Sequence, residues 1–216
     1  MFFVRSKKYK ILIFGATGPT GLQLVTQALE QHYEVTALVR SPAKFNINHE
    51  KLTIITGDAL DKNIVLKALA GQDAVLSALG RGKTLKSSGL ITNAVNILIP
   101  AMNEMNVKRL IFLSGFGAGE TFVQANLLQK IIFSTFLISI YGDKTRAEKL
   151  IRSCTLDWTL VYPVVLTNTP ATGNYIAAET LTMKGMPKMS RADVATFMLS
   201  QLSDNSFIKK GVSLMS

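Results

Sequence analysis

The feature that most constrains this chain is a seven-residue turn, Gly15-Ala16-Thr17-Gly18-Pro19-Thr20-Gly21, between two segments of opposite periodicity. Before it, Lys10–Phe14 (KILIF) is a short apolar run of the kind that forms a buried strand. After it, residues 22–31 carry apolar side chains at helical spacing. A strand that enters a helix through three glycines leaves little choice of path. Gly15 permits the tight turn, Gly18 lets another group approach the backbone, and Gly21 lets the helix pack closely on the strand.

The same alternation runs through the chain. Strand patterns fall at Glu34–Val39, Leu52–Thr56, residues 73–79, Arg109–Leu113, residues 158–162 and residues 211–214. Helical patterns fall between them, at residues 63–70, 88–105, 120–153 and 192–202. Pro100 is expected to kink the third helix, and a break is expected near Gly142 in the fourth. Strands that are apolar on both faces and alternate with helices predict a parallel sheet covered on both sides. No linker or repeat divides the chain, so residues 1–216 read as one α/β domain. Residues of about 163–190 would form a small C-terminal region on the substrate side.

Composition narrows the function. Hydrophobic residues make up 48% and charged residues 18%, which excludes a disordered chain. A lone cysteine, Cys154, excludes an internal disulfide and a cysteine-rich metal site, and suits a reducing cytoplasm. With His32 and His49 as the two histidines, no metal site is expected. The net charge of +10 fits anionic small ligands, but the cations are scattered and no nucleic-acid motif appears. The opening residues do not read as a signal peptide. The apolar run at 131–141 is too short to span a bilayer, and reads as a buried helix or a lid over a pocket.

A glycine turn that opens a helix presents backbone N–H groups and a partial positive charge to an anion, so the turn predicts a pyrophosphate site. Its spacing is G-x-x-G-x-x-G, and it lacks the Lys-Ser/Thr of a nucleoside-triphosphate loop. The second strand ends in Arg40 and Ser41 instead of the acidic residue that would hold a free ribose hydroxyl. A guanidinium beside a hydroxyl suits a 2′-phosphate, hence NADP(H) over NAD(H). Asp58, in Gly57-Asp58-Ala59, could accept from an adenine amino group or cap the helix that follows. Leu79 and Gly80 end the fourth strand, where a ribose and pyrophosphate would pass.

GATGPTG, ALVR, TGDALD, GQDAVLSALG, VKRLIFLSG, KTRAEKLIRSCTLDWTLVYP and MSRADVATFML together resemble the atypical short-chain dehydrogenase/reductases with an NAD(P)H-binding, NmrA-like domain. Within that group the chain is similar to the biliverdin reductase B branch of NADPH-dependent flavin reductases. The resemblance implies a Rossmann-type doubly wound parallel sheet with NADPH across its carboxyl edge. It implies phosphate-loop roles for Gly15, Thr17, Gly18, Pro19, Thr20 and Gly21, and a 2′-phosphate role for Arg40. It also implies that Asp58 and Ala59 lie by the adenine, Leu79 and Gly80 by the ribose, Ser114 near the nicotinamide, and Pro163 with Val164 beside its carboxamide.

Two departures bear on the chemistry. Carbonyl-reducing relatives use Y-x-x-x-K, in which Tyr gives a proton and Lys lowers its pKa. Here Ile140 stands four before Lys144, and Tyr141 is one position off, about 100° away on a regular helix. A helix break at Gly142 could re-aim Tyr141; otherwise the acid pair is absent. Lys144 and Glu148 also have the spacing of a surface ion pair. The second departure is Val165, where the biliverdin reductase branch carries His. These residues point to an NADPH-dependent oxidoreductase that passes hydride to a flavin or quinone-like acceptor, with Ser114, Tyr141 and Lys144 as the catalytic candidates and Phe116 and residues 133–141 as apolar walls. The alternative is a non-catalytic NADP-binding redox sensor. A sugar-nucleotide epimerase would need a larger substrate domain.

Overall fold

A computed structural model describes residues 8–80, 89–124, 138–181 and 185–216. The basic stretch at 81–86, most of the apolar run at 131–141, and Met183 lie outside the described residues.

β1 (Lys10–Phe14) leads through the glycine turn into α1 (Pro19–Glu30), then β2 (Glu34–Val39), β3 (Leu52–Thr56), α2 (Lys62–Leu69) and β4 (Ala74–Ser77). α3 (Leu90–Glu104) and β5 (Arg109–Leu113) follow, with a 3₁₀ turn at Gly119–Gln124. Then come α4 (Ile138–Ser153), β6 (Asp157–Pro163), β7 (Val165–Thr167), β8 (Ile176–Ala178), β9 (Lys188–Ser190), α5 (Arg191–Ser200) and β10 (Lys210–Met215). The main sheet has eight strands in the order β3-β2-β1-β4-β5-β6-β10-β8, and all pairings are parallel except β10 with β8.

The double apolar face of β1 explains the layering. Successive side chains of a strand point to opposite faces. Ile11 and Ile13 enter a core with Leu24 and Val25 of α1 and Val194 and Met198 of α5. Leu12 and Phe14 enter a second core with Val65 and Leu69 of α2, Val95 and Leu98 of α3, and Ala147 and Ile151 of α4. The chain is thus one α/β domain of the doubly wound Rossmann type. From β1 it proceeds outward through β2 to β3, then returns across β1 to β4. The crevice at the carboxyl ends of β1 and β4 is therefore the topological switch point, where open α/β sheets bind ligands.

Two expectations need correction. α4 runs unbroken through Gly142, because Asp143, Ala147 and Ile151 on its next turns are fully buried and hold the helix in place. α3 contains Pro100 within one continuous helix. The fourth helical pattern is a helix only from Ile138 within the described residues, since Gly119–Gln124 is a 3₁₀ turn. The three-residue strands β7, β8 and β9 give no sequence pattern of their own.

Candidate active site

The glycine turn is held by its neighbours on both sides. Gly15 has φ +72°, and a Cβ there would lie 2.6 Å from the carbonyl oxygen of Ala78 at the end of β4. A Cβ on Gly21 would fall on the carbonyl oxygen of Gly15. Gly18 is freer, with its nearest atom, the Gly15 oxygen, 3.3 Å from such a Cβ. Its N–H closes the turn on that same oxygen at 3.0 Å. Gly18 also caps α1 with no side-chain hydrogen bond, Pro19 follows in the first turn, and that turn holds no acidic residue. The positive end of α1 is thus left uncompensated.

This end opens on a cleft of about 710 Å³ along the carboxyl edge of the sheet. Its walls come from successive strand ends. β1 gives Phe14 and the turn gives Gly15, Thr17, Gly18, Pro19 and Thr20. β2 gives Leu38, Val39, Arg40 and Ser41; the end of β3 gives Gly57, Asp58 and Ala59; the end of β4 gives Ala78, Leu79 and Gly80. Leu90, Lys144, Leu166 and Arg191 complete it. Arg40 is exposed, and no carboxylate among the described residues pairs with it. Asp58 accepts from Leu60 N at 3.0 Å, whereas Asp61 caps α2 through Asn63 N and Ile64 N. Of the two roles open to Asp58, capping has therefore gone to Asp61. Gly21 lies beneath the turn as a packing residue.

The catalytic candidates gather around Gly115, where a Cβ would lie 3.3 Å from Lys144 Nζ and 3.8 Å from Tyr141 Cε1, and each is held by a protein partner. Lys144 reaches the cleft, and its Nζ donates to the Ser114 carbonyl at 2.8 Å. Tyr141 hydroxyl donates to the Phe116 carbonyl at 3.0 Å, and burial pushes its pKa up to about 12. With α4 unbroken, Tyr141 is not re-aimed. Ser114 is 3% exposed and donates its hydroxyl to Glu148 Oε1. Tyr162 donates to Glu148 Oε2 at 3.0 Å, and Arg152 donates to Tyr162 at 3.2 Å while pairing with Glu120 at 2.9 Å. Glu148 is 2% exposed, so the surface ion pair expected with Lys144 is wrong: α4 turns this carboxyl inward, under β5 and β6. Burial pushes its pKa up, opposed by the Ser114 and Tyr162 bonds and by the charges of Lys144 and Arg152. A Cβ on Gly119 would strike its Oε2, which explains glycine there.

Pro163 and Val164 are buried and do not line the cleft; Pro163 O accepts from Phe116 N and Val164 N donates to Leu214 O. Trp158 is core at 4% exposure, and Met189 is buried while Met186 is exposed. Phe116 is also core, not an exposed wall. Sequence reasoning missed Leu90, Leu166 and Arg191 as cleft residues. Ser190-x-x-Asp193 does carry a helix-start signal, which would have set Arg191 at the first helical position. Among the described residues no helix is long and apolar enough to cross a membrane.

Comparison with known proteins agrees with this geometry. A family model described as NAD(P)H-binding matches residues 15–205. A chloroplastic protein of Arabidopsis thaliana is 28% identical over 183 residues, 79% of this chain and 64% of its own length. An isoflavone reductase homolog of Nicotiana tabacum is 31% identical over 117 residues, 50% of this chain and 36% of its own. The chain thus spans less than two thirds of either relative. Among solved structures, a short-chain dehydrogenase/reductase of Veillonella parvula in complex with NADP superposes with a TM-score of 0.82 at 21% identity, covering 97% of this chain and 95% of that one. An anaerobilin reductase of Escherichia coli O157:H7 superposes with a TM-score of 0.80 at 22% identity, covering 95% and 96%. At such identities the superpositions show the fold. The match that starts at the first glycine of the turn shows more: this chain belongs to the NAD(P)H-binding family.

Proposed function

We propose that the chain is an NADPH-dependent reductase that passes hydride to a flat, conjugated acceptor, a flavin or quinone-like molecule. The observation that carries this reading is the cleft itself, with a helix N-terminus whose first turn holds no acidic residue at its centre and Arg40, unpaired among the described residues, at one end. These residues fit a phosphorylated dinucleotide. Backbone N–H groups of Thr17, Thr20 and Gly21 would hold the pyrophosphate, since Pro19 has none and that of Gly18 is bonded to the Gly15 oxygen. Arg40 and Ser41 would hold the 2′-phosphate, and Asp58 and Ala59 would border the adenine. Leu79, Gly80 and Lys144 would border the nicotinamide ribose. Ser114, Pro163 and Val164 would support that end from beneath. The bound nicotinamide supplies the hydride.

The choice of acceptor follows from what the protein does not offer. The Tyr141 and Ser114 hydroxyls are both spent on protein partners, so neither is free to protonate a carbonyl. A conjugated ring system needs stacking and orientation more than a strong acid. Leu90 and Leu166 give the cleft apolar surface for that purpose. A reducing compartment such as the cytoplasm suits the free thiol of Cys154.

The same engaged hydroxyls favour one other reading, an NADP-binding redox sensor without turnover. Steady-state oxidation of NADPH and NADH separates them, with FMN, a naphthoquinone and an aldehyde as acceptors. The reductase reading predicts turnover with NADPH and the first two acceptors, and little with NADH or the aldehyde. Tight NADPH binding with no oxidation by any acceptor would leave the sensor.

A further inference from the structure

We propose that Arg191 makes the acceptor end of the cleft an oxyanion subsite, so that the preferred acceptors carry a phosphate or carboxylate. This rests on the reductase reading above and adds the charge class of the substrate.

The position of Arg191 is built. It is the first residue of α5, and β7 and β9 pair in parallel up to Thr167 opposite Ser190. Asn168 and Arg191 are the next residues in that register, and Arg191 Nη1 donates to Asn168 Oδ1 at 2.7 Å. Below them Asp193 is fully buried. It accepts from Ser190 hydroxyl at 2.7 Å, Thr172 N at 3.0 Å and Gly173 N at 2.9 Å. The loop after β7 is thereby tied to the start of α5, the two segments that carry Asn168 and Arg191. A guanidinium has five N–H donors in a planar fork, and most of those on Arg191 remain for a ligand. No carboxylate among the described residues pairs with it.

The charge of the cleft needs an anion there. Its wall carries three cations, Arg40, Lys144 and Arg191, against one carboxylate, Asp58. Arg40 follows β2, whereas the β7 that positions Arg191 continues from β6. β2 and β6 are four strand steps apart, roughly 19 Å at 4.8 Å per step. The two arginines thus reach the cleft from opposite sides of β1, and a 2′-phosphate held by Arg40 leaves Arg191 to another anion. With that phosphate at β2, the nicotinamide end lies toward β5 and β6, and Arg191 faces whatever stacks against it.

The test compares FMN with riboflavin, and a carboxylated naphthoquinone with the neutral parent, in wild type, Arg191→Gln and Arg191→Lys. Binding to NADP⁺-loaded protein is read by flavin fluorescence quenching, alongside kcat/KM. Wild type should favour FMN over riboflavin about tenfold or more, since a charge-assisted contact is lost with the phosphate. Arg191→Gln should bring the two flavins within about threefold by weakening FMN, cost riboflavin and NADPH much less than FMN, and melt as wild type does. Arg191→Lys should keep part of the preference. The quinone pair shows whether carboxylate serves as well as phosphate. Equal binding of both flavins by wild type would overturn the proposal. So would an Arg191→Gln variant that weakens NADPH binding while keeping the FMN preference. FMN preference in binding without any turnover would sustain the subsite and remove the reductase reading.

Discussion

Arg40 and Glu148 show how far one side chain's surroundings decide its meaning. Arg40 is legible from sequence because a strand end two units after a glycine turn has a fixed place beside the bound ribose. Replacing it with Ala should weaken NADPH binding by about 10- to 100-fold and leave NADH nearly unchanged, because only the 2′-phosphate contact is lost. Calorimetric titration of both cofactors checks this, and equal losses for the two would refute it. Glu148 was not legible, because its spacing from Lys144 suits a surface pair, and only the packing of α4 under β5 and β6 turns it inward. Its raised pKa has a definite sign in stability. The neutral form is favoured in the folded state, so its contribution is complete below the ordinary carboxyl value of 4.5 and is lost as pH rises through the folded value. The stability of wild type relative to Glu148→Gln should therefore fall as pH is raised from 4 toward neutrality. Denaturant titrations of both across that range measure it; a difference that stays flat, or grows in favour of wild type, would contradict the burial argument.

At the scale of elements, legibility followed length and redundancy. β1, the turn and α1 could be read because Gly15 is demanded by its positive φ and by the chain leaving β4, and Gly21 by the turn itself. β7, β8 and β9 could not, since three residues carry no periodicity. The fourth helix was misread at Gly142 because glycine has poor helix propensity, a cost of about 1 kcal/mol that tertiary contacts override. One such contact is Asp143, which accepts from Ile91 N at 3.0 Å and Thr92 N at 3.1 Å and so caps α3 from another helix. That cap also fixes Lys144, the next residue, at the cleft. Among the described residues, a Cβ on Gly142 would meet only Arg146 Nη1 at 3.6 Å, an ordinary contact with a flexible tip. Gly142→Ala should therefore stabilise the protein by about 0.5–1 kcal/mol. A chemical denaturation curve shifted to lower denaturant would restore the break.

The whole molecule places its function at one edge. Seven parallel strands send their carboxyl ends the same way, and the reversal between β1 and β4 opens the crevice there. This much was legible from the alternation of strands and helices, because a parallel sheet with a glycine turn after its first strand has few ways to be wound. The far wall of the cleft was legible only at Lys144, since Leu90, Leu166 and Arg191 come from separate parts of the chain and meet only in the fold. A ligand that binds only the folded state stabilises it by mass action. NADPH at 100 times its Kd should add about 2.7 kcal/mol. NADH at the same concentration should add clearly less. Thermal melts with each cofactor measure this, and identical shifts would contradict the role given to Arg40.

The reductase claim itself is tested most directly by a single turnover, in which NADPH-loaded protein is mixed with FMN in the absence of oxygen and the nicotinamide and flavin absorbances are followed together. The account predicts that both bleach with one shared rate constant, slowed when the transferred hydrogen of NADPH is deuterium. It predicts that Tyr141→Phe changes that rate by less than about tenfold, whereas a true proton donor would contribute about 10²–10⁴-fold. A flavin absorbance that stays constant while NADPH remains bound would contradict it.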